Sequence, residues 1–201
     1  MIASTEAAMP VHENQSEDQL LTRCRQGDID ALAQLYALYE QPVFRHAYYL
    51  LGNRDDAQDV RQETFLRAYR SLPAFNGRCS LKTWLLTICT NLCRDHLRSR
   101  RTQREIGYDP AQAQELFRAA SPAADPATLA ERAEVVRLIQ AALYALPTPA
   151  RELIVLRDLE NLELDEIALI TRCTRLSVPV RLFRARRLLR ERVTALLKEG
   201  E

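Results

Sequence analysis

The chain has 201 residues, 47% of them apolar and only five of them glycine. That is enough for a buried core, and the Ala-, Leu-, Arg- and Glu-rich composition favours helix over tight β-turns. The formal net charge of +1 conceals an asymmetry: nearly all the positive charge is arginine, clustered at Arg94–Arg104 and Arg181–Arg192, whereas acid clusters at Asp55–Glu63. Two basic blocks suit phosphate-bearing partners, and the acidic block suits a basic protein surface. No apolar run approaches the ~20 residues of a membrane span, and the first residues lack the basic-then-apolar pattern of a secretory signal. The five cysteines (Cys24, Cys79, Cys89, Cys93 and Cys173) form no secreted-type framework and no C-x-x-C pair. The expectation is a cytoplasmic protein with reduced thiols.

Residues 1–15 are polar and aperiodic and read as a loose tail. Ser16, with Gln19 three residues on, predicts the start of a first helix that Gly27 ends. Asp28 caps a second, with Ile29, Leu32, Tyr36 and Tyr39 on one stripe. Pro42 fits the first turn of a third helix, which runs to a Gly52-Asn53 stop. A long helix follows from about Arg54 to Ser71, striped by Ala57, Val60, Thr64, Ala68 and Leu72. After a loop containing Asn76-Gly77, Ser80 caps another long helix to about Arg100, with Leu81, Trp84, Ile88 and Leu92 facing the core. Residues 105–126 lose periodicity and gain proline, as a linker does.

The second domain, 127–201, begins with a helix whose predicted inner face is Val135, Leu138, Ile139, Ala142 and Leu146. Pro149 opens the next, with Leu153, Leu156 and Leu159 inward. A short helix at Leu164–Ile170 and a last one from Val178, capped by Ser177, give helix-turn-helix spacing. The fold class is therefore all-α: two small helical domains, 16–104 and 127–201, on a flexible linker.

Three constellations carry function. Asp56, Asp59 and Glu63, with Gln62 beside them, share a helix face by their spacing of three and four. Acids near a helix start also suit its dipole, which accounts for Asp55 and Asp56 but not for Glu63 two turns in. The second is the loop Phe75–Leu81 with the helix face Thr87, Asn91, Arg94 and Arg98, small polar and basic groups suited to single-stranded or distorted DNA. The third is the Arg-rich last helix, which suits either a major groove or a solvated face. Cys89, Cys93 and His96 fall on one helix face at metal-like spacing, but a fourth ligand is lacking, and small buried cysteines are common in helical cores. We therefore expect no metal, no cofactor, no catalytic residues and no small-molecule substrate.

The run Asp55–Arg70, continued by Phe75-Asn76-Gly77-Arg78, Ser80–Leu85 and Asn91–Arg98, resembles sigma domain two of bacterial RNA polymerase sigma factors. Leu146-Pro147, Arg151-Glu152, Asp165–Ala168 and Arg184-Ala185-Arg186 resemble sigma domain four. The absence of a domain between them resembles the extracytoplasmic-function group. The resemblance implies that Asp56, Asp59, Gln62 and Glu63 dock on the β′ clamp helices of core polymerase. It implies that Asn76, Gly77, Arg78, Thr87, Asn91, Arg94 and Arg98 read and melt the −10 element. It assigns the −35 element to Thr174, Arg175, Ser177, Arg181, Arg184 and Arg187, and a further contact to the β flap. An anti-sigma partner is also expected. The sequence departs from the family in domain four, where Asn161, Arg172 and Leu176 stand at places usually held by glycine and Pro179 replaces a lysine able to touch DNA. The alternative is a stand-alone helix-turn-helix regulator, which leaves Asp55–Arg104 unexplained.

Overall fold

The computed structural model describes residues 11–103 and 126–199, and every regular element among them is helical. The N-terminal group comprises α1 (Val11–Arg25), α2 (Ile29–Leu51), α3 (Arg54–Ser71) and α4 (Leu81–Gln103). The C-terminal group comprises α5 (Pro126–Tyr144), α6 (Thr148–Ile154), α7 (Leu164–Thr171) and α8 (Val178–Glu199). The expected all-α architecture is what forms. The expected linker lies outside the described residues except for Pro126, and so do residues 1–10 of the expected tail.

Local signals explain most boundaries. Asp28 Oδ1 accepts from the Asp30 and Ala31 amides at 2.9 and 3.1 Å and starts α2. Asn53 Oδ1 accepts from Asp56 N at 3.0 Å and starts α3, and Ser80 Oγ accepts from Thr83 N at 3.1 Å in the first turn of α4. Helix α2 stops at Gly52, whose φ of 75° is left-handed and whose N–H returns to Tyr48 O at 2.8 Å. A Cβ there would also stand 2.9 Å from the Tyr144 ring, so glycine is required twice.

Several expectations are corrected. Helix α1 starts at Val11, which places Ser16 inside it rather than at its cap. Pro42 starts no helix; it lies within an uninterrupted α2. Proline removes a single rung, the bond back to residue 38, and that turn faces solvent at Leu38. Buried Leu35 before it and Val43 and Phe44 after it hold both halves of the helix to one core. The stripe through Ile29 and Tyr36 is not the inner face, since Ile29 is 79% exposed; Ala31 and Leu35 are buried instead. In α5, Val135 and Ile139 point outward and Leu143 inward. Ser177 does not cap α8: its hydroxyl donates to Thr174 O at 2.8 Å in a 3₁₀ turn, Arg175–Ser177.

The N-terminal core gathers Leu35, Val43, Tyr48, Ala57, Val60, Leu85 and Cys89 from α2, α3 and α4. Cys93 is also buried, and burial raises its thiol well above the ordinary range. Inside this core His46 bonds Thr90 Oγ1 through Nε2 at 2.8 Å while Nδ1 finds no partner among the described residues. Burial first, and then the nearby Lys82, Arg45 and Arg94, depress its pKa to about 3. The unfolded chain therefore takes up a proton below about pH 6.5 that the folded chain refuses until about pH 3. The resulting stability is complete above pH 6.5 and lost as pH falls towards 3. Urea denaturation at pH 7 and pH 4.5 is expected to show a loss of a few kcal/mol, a loss that His46→Gln diminishes.

The C-terminal group is built around α6. Past Ile154 this helix widens into a five-residue π turn, Val155–Leu159. Three successive side chains enter three different apolar clusters: Ile154 joins Leu143, Leu146 and Ala185; Val155 joins the N-terminal core; Leu156 joins Leu153, Ile167 and Val178. A helix buried on every side has apolar residues all round.

Candidate nucleic-acid interface

The acidic face of α3 is set by its spacing. Asp55, Asp59 and Gln62 are exposed, and Glu63 is half-buried and pairs with Arg67 at 2.7 Å one turn on. Asp56 does not share that face: it is mostly buried and its Oδ1 lies 3.4 Å from His96 Nε2 of α4. Beyond Glu63 the outward stripe turns apolar, through Leu66 and Tyr69, both more than half exposed. Tyr69 borders a groove of about 150 Å³ shared with Tyr36, Phe65 and Trp84. Trp84 is thus half-buried against Phe75, with ring centroids 4.8 Å apart. Charge alone does not reveal the apolar end of this face; its signal is Leu66 and Tyr69, three and six residues past Glu63.

The loop between α3 and α4 presents Asn76, Gly77 and Arg78 to solvent. Asn76 Oδ1 accepts from Arg78 N at 3.2 Å, and Gly77 takes a φ of 72°. Helix α4 carries the other four residues expected at the −10 element. Arg98 is exposed and paired with Asp95 at 3.1 Å. Thr87 is half-buried, its hydroxyl bonded to Thr83 O at 2.7 Å. Arg94 lies against the C-terminal group, with Asn91 beside it on α4. Arg94 grips Glu152 with two bonds, Nε to Oε1 at 2.9 Å and Nη2 to Oε2 at 2.6 Å. Its Nη1 donates to Asn91 Oδ1 and to Ile170 O, each at 3.2 Å. The Glu152 carboxylate accordingly raises the Arg94 pKa.

Further contacts of this kind join the two groups. Lys82 Nζ donates to the Glu160 carbonyl at 2.9 Å and sits 3.0 Å from its carboxylate, an ionic contact whose angle falls short of a hydrogen bond. Arg45 approaches the same carboxylate at 3.8 Å, and that side chain is fully buried. The Ser80 and Thr83 hydroxyls meet Glu166 Oε1. Leu86 of α4, fully buried, belongs to the C-terminal cluster of Leu156 and Ile167, and Val155 belongs to the N-terminal one. The sequence does not single out Arg45 and Lys82, because nothing local distinguishes a lone basic residue whose partner lies some 80–115 positions away.

The helix-turn-helix is formed by α7 and α8. Asn161 and Arg172 take the left-handed φ values of 55° and 53° where glycine would be easiest. Glu166 accepts from the Glu163 amide at 2.9 Å at the start of α7. Thr174, Arg175, Arg181, Arg184 and Arg187 are exposed and Ser177 half-buried. Arg175 pairs with Asp165 at 3.1 Å and Arg187 with Glu191 at 3.6 Å. Arg186 turns the other way, to Asp158. Arg181 and Arg184 share a cleft of about 610 Å³ with Arg94 and Arg98 of α4. In the turn, burial raises the Cys173 thiol, but the Ser177 and Thr171 hydroxyls and Arg181 outweigh it and leave the pKa lowered.

Residues 35–103 match the family described as Sigma-70 region 2, and residues 137–189 match Sigma-70, region 4. The chain is 30% identical over 179 residues to the ECF RNA polymerase sigma factor SigW of Bacillus subtilis, an alignment covering 88% of this chain and 96% of that one. It is also 30% identical over 189 residues to the RNA polymerase sigma-H factor of Pseudomonas aeruginosa, covering 92% and 98%. Among solved structures it is similar to CnrH, captured in complex with the cytosolic domain of CnrY, with a TM-score of 0.62, 26% identity, and 90% and 97% of the two chains covered. The fold is also that of RpoE from Bartonella quintana, solved with the anti-sigma factor NepR, with a TM-score of 0.61 and 23% identity over 81% of this chain and 96% of that one. An acidic helix face, an exposed loop leading into a basic helix, a helix-turn-helix beyond them and similarity to these relatives over most of the chain agree, and the chain belongs to the extracytoplasmic-function family of RNA polymerase sigma factors.

Proposed function

We propose that this sigma factor docks on the clamp helices of the polymerase β′ subunit through Asp59, Gln62 and Glu63, extended by the apolar patch of Leu66 and Tyr69. Asp56 is better placed to brace α3 against α4 through His96 than to meet a partner. The exposed loop Asn76–Arg78, with Thr87, Asn91, Arg94 and Arg98, captures the opened −10 strand, where new stacking and hydrogen bonds offset strand separation. Thr174, Arg175, Ser177, Arg181, Arg184 and Arg187 read the −35 duplex through phosphates and base edges, with the polymerase β flap as the neighbouring protein contact. Bond chemistry stays with core polymerase, so the chain is not itself an enzyme, and it works in the cytoplasm beside the polymerase. The observation that carries this reading is the exposed acidic stripe on α3, contiguous with a solvent-facing loop and a basic helix. A stand-alone helix-turn-helix regulator would give that stripe no task.

An inhibitory protein partner is part of the proposal. It is supported by the two solved neighbours, each captured with a bound protein, and by the exposed acidic and apolar face that such a partner would cover.

The test is transcription from fragmented DNA of the native host with core polymerase. Discrete start sites that depend on this chain are expected. Arg181→Ala with Arg184→Ala is expected to leave core binding intact and lower initiation at least tenfold, since removing an arginine that grips a base edge or a phosphate costs on the order of 1–3 kcal/mol. Unchanged start sites and rates with the double variant would remove these residues from promoter reading.

A further inference from the structure

We propose that Leu176 and Val180 are specificity-determining residues that read thymine methyl groups in the major groove of the −35 duplex, a role that rests on the −35 assignment proposed above and names what the tip of α8 recognises there.

The inner face of α8 is set by Val178, Leu182 and Ala185, all buried and spaced by four and three. At about 100° per residue, the opposite side carries Val180, Arg184 and Arg187. Leu176 stands one turn earlier, in the 3₁₀ turn Arg175–Ser177 that leads into the helix. It is 90% exposed, and Val180 is 53% exposed. A single bare leucine on a surface is ordinary. Here two apolar side chains follow one another at the entry to a recognition helix, and the same outward stripe continues into arginine.

The chemistry of this tip narrows what it can read. A recognition helix meets base edges through its N-terminal residues. From Leu176 to Val180 no side chain has a proton left to donate. Leu176, Val178, Pro179 and Val180 carry none, and the Ser177 hydroxyl gives its own to Thr174 O at 2.8 Å. The pairings that pick out guanine, by arginine or lysine, and adenine, by asparagine or glutamine, are therefore missing from this stretch. The major groove offers one apolar group, the C5-methyl of thymine, and an apolar side chain is its complement. Pro179 fixes its own φ in the first turn, so Val180 is presented from a stiff backbone.

Charge favours DNA over a basic protein surface as the occupant. Arg181, Arg184 and Arg187 are exposed beside the apolar tip, and residues 178–185 include no acid. The arginines hold the helix to the phosphates, which fixes its register without reading sequence. Leu176 and Val180 then supply the part of the readout that depends on the base. Burying one methyl is expected to be worth about fourfold in affinity, which is about 0.8 kcal/mol at 1.4 kcal/mol per tenfold.

The experiment uses holoenzyme assembled from the full chain and core polymerase, on a promoter found by the transcription test above. Each thymine of the −35 duplex, on either strand, is replaced in turn by deoxyuridine, which deletes the methyl and keeps every hydrogen-bonding group. Competition against the unmodified duplex measures promoter affinity. Wild type is expected to lose about fourfold at one or two of these thymines. Leu176→Ala with Val180→Ala is expected to bind core polymerase as wild type does and to be indifferent to uracil at the same positions, the single variants dividing those positions between them. Leu197→Ala, also exposed but at the far end of α8, is expected to keep the wild-type sensitivity. No loss at any thymine, or a loss that persists in the double variant, would overturn the proposal. So would failure of the double variant to bind core polymerase, since the tip would then be a protein contact. Whole-base substitutions across the same segment separate the two readings. If they too have no effect, the −35 assignment itself falls; if they matter while removal of methyls does not, only the methyl reading falls.

Discussion

Reversing two charges on α3, Asp59→Arg together with Glu63→Arg, is expected to weaken binding to core polymerase at least 100-fold, abolishing the co-migrating complex in native gels or size-exclusion chromatography. Asp59 is exposed and Glu63 half-exposed, so neither reversal costs core packing. The internal loss is the Glu63–Arg67 pair, worth roughly 0.3–0.5 kcal/mol on a helix surface. At the interface the change is larger, because two attractions to a basic partner become two like-charge contacts. Juxtapositions of that kind cost several kcal/mol, and about 2.7 kcal/mol already amounts to 100-fold. Thermal unfolding and helicity should match wild type, which separates loss of docking from loss of fold. Asp56→Arg serves as the contrast: it should lower stability, since this residue is buried beside His96. Retained binding by the double variant would move the polymerase contact off this face.

Arg151→Ala is expected to lower unfolding stability by about 3 kcal/mol or more, and Arg151→Lys by about half that. Arg151 is buried, yet no carboxylate among the described residues bonds to it. Instead its guanidinium donates to four carbonyls: Leu143 at 3.0 Å, Tyr144 at 2.7 Å, Leu146 at 3.3 Å and Leu50 at 2.6 Å. Two of those oxygens end α5 and one ends α2, so a single cation sits between the negative poles of two helices. This explains how a buried charge is tolerated although burial lowers its pKa. The Tyr144 ring, 5.0 Å away, adds a cation–π contact, and its hydroxyl bonds Tyr48 O at 2.8 Å on the same end of α2. Alanine would strand three buried acceptors, at about 1 kcal/mol or more apiece, since Leu143 O keeps the Leu146 amide at 3.1 Å. Lysine restores a charge but lacks the fork that reaches several acceptors at once. Urea denaturation at pH 7 measures both variants. A loss under about 1 kcal/mol for the alanine variant would show that water replaces the guanidinium.

What is legible in the sequence follows from local periodicity. Ala57, Val60, Thr64, Ala68 and Leu72 form one stripe by spacing and are all buried, because a 3.6-residue repeat fixes which side of a helix meets its neighbours. Asp28, Gly52 and Ser80 are legible as ends for the same reason: capping is settled within four residues. The failures are long-range. Pro42 looks like a start by local rules, and only buried residues on both sides of it carry the helix through. Val135 and Ile139 are apolar at helical spacing, but α5 is covered on its Leu143 side instead. The Arg94–Glu152 and Lys82–Glu160 pairs join residues 58 and 78 positions apart, beyond any pattern within one helix. One overlooked signal is local. Leu153–Leu156 is four apolar residues in succession, too many for a helix with a wet side.

That run gives the π turn after α6 a meaning as a phase setting. One residue more than an α-turn allows lets Ile154, Val155 and Leu156 address three separate clusters. Each α-helical residue advances the azimuth by about 100°. Deleting any one position in 155–159 would restore ordinary winding and turn the preceding helix through that angle relative to α7. Arg151 and Glu152 would then rotate away from Leu50 and Arg94 with their own chemistry untouched. The length of this segment, more than the identity of any residue in it, keeps the two halves of the protein in register.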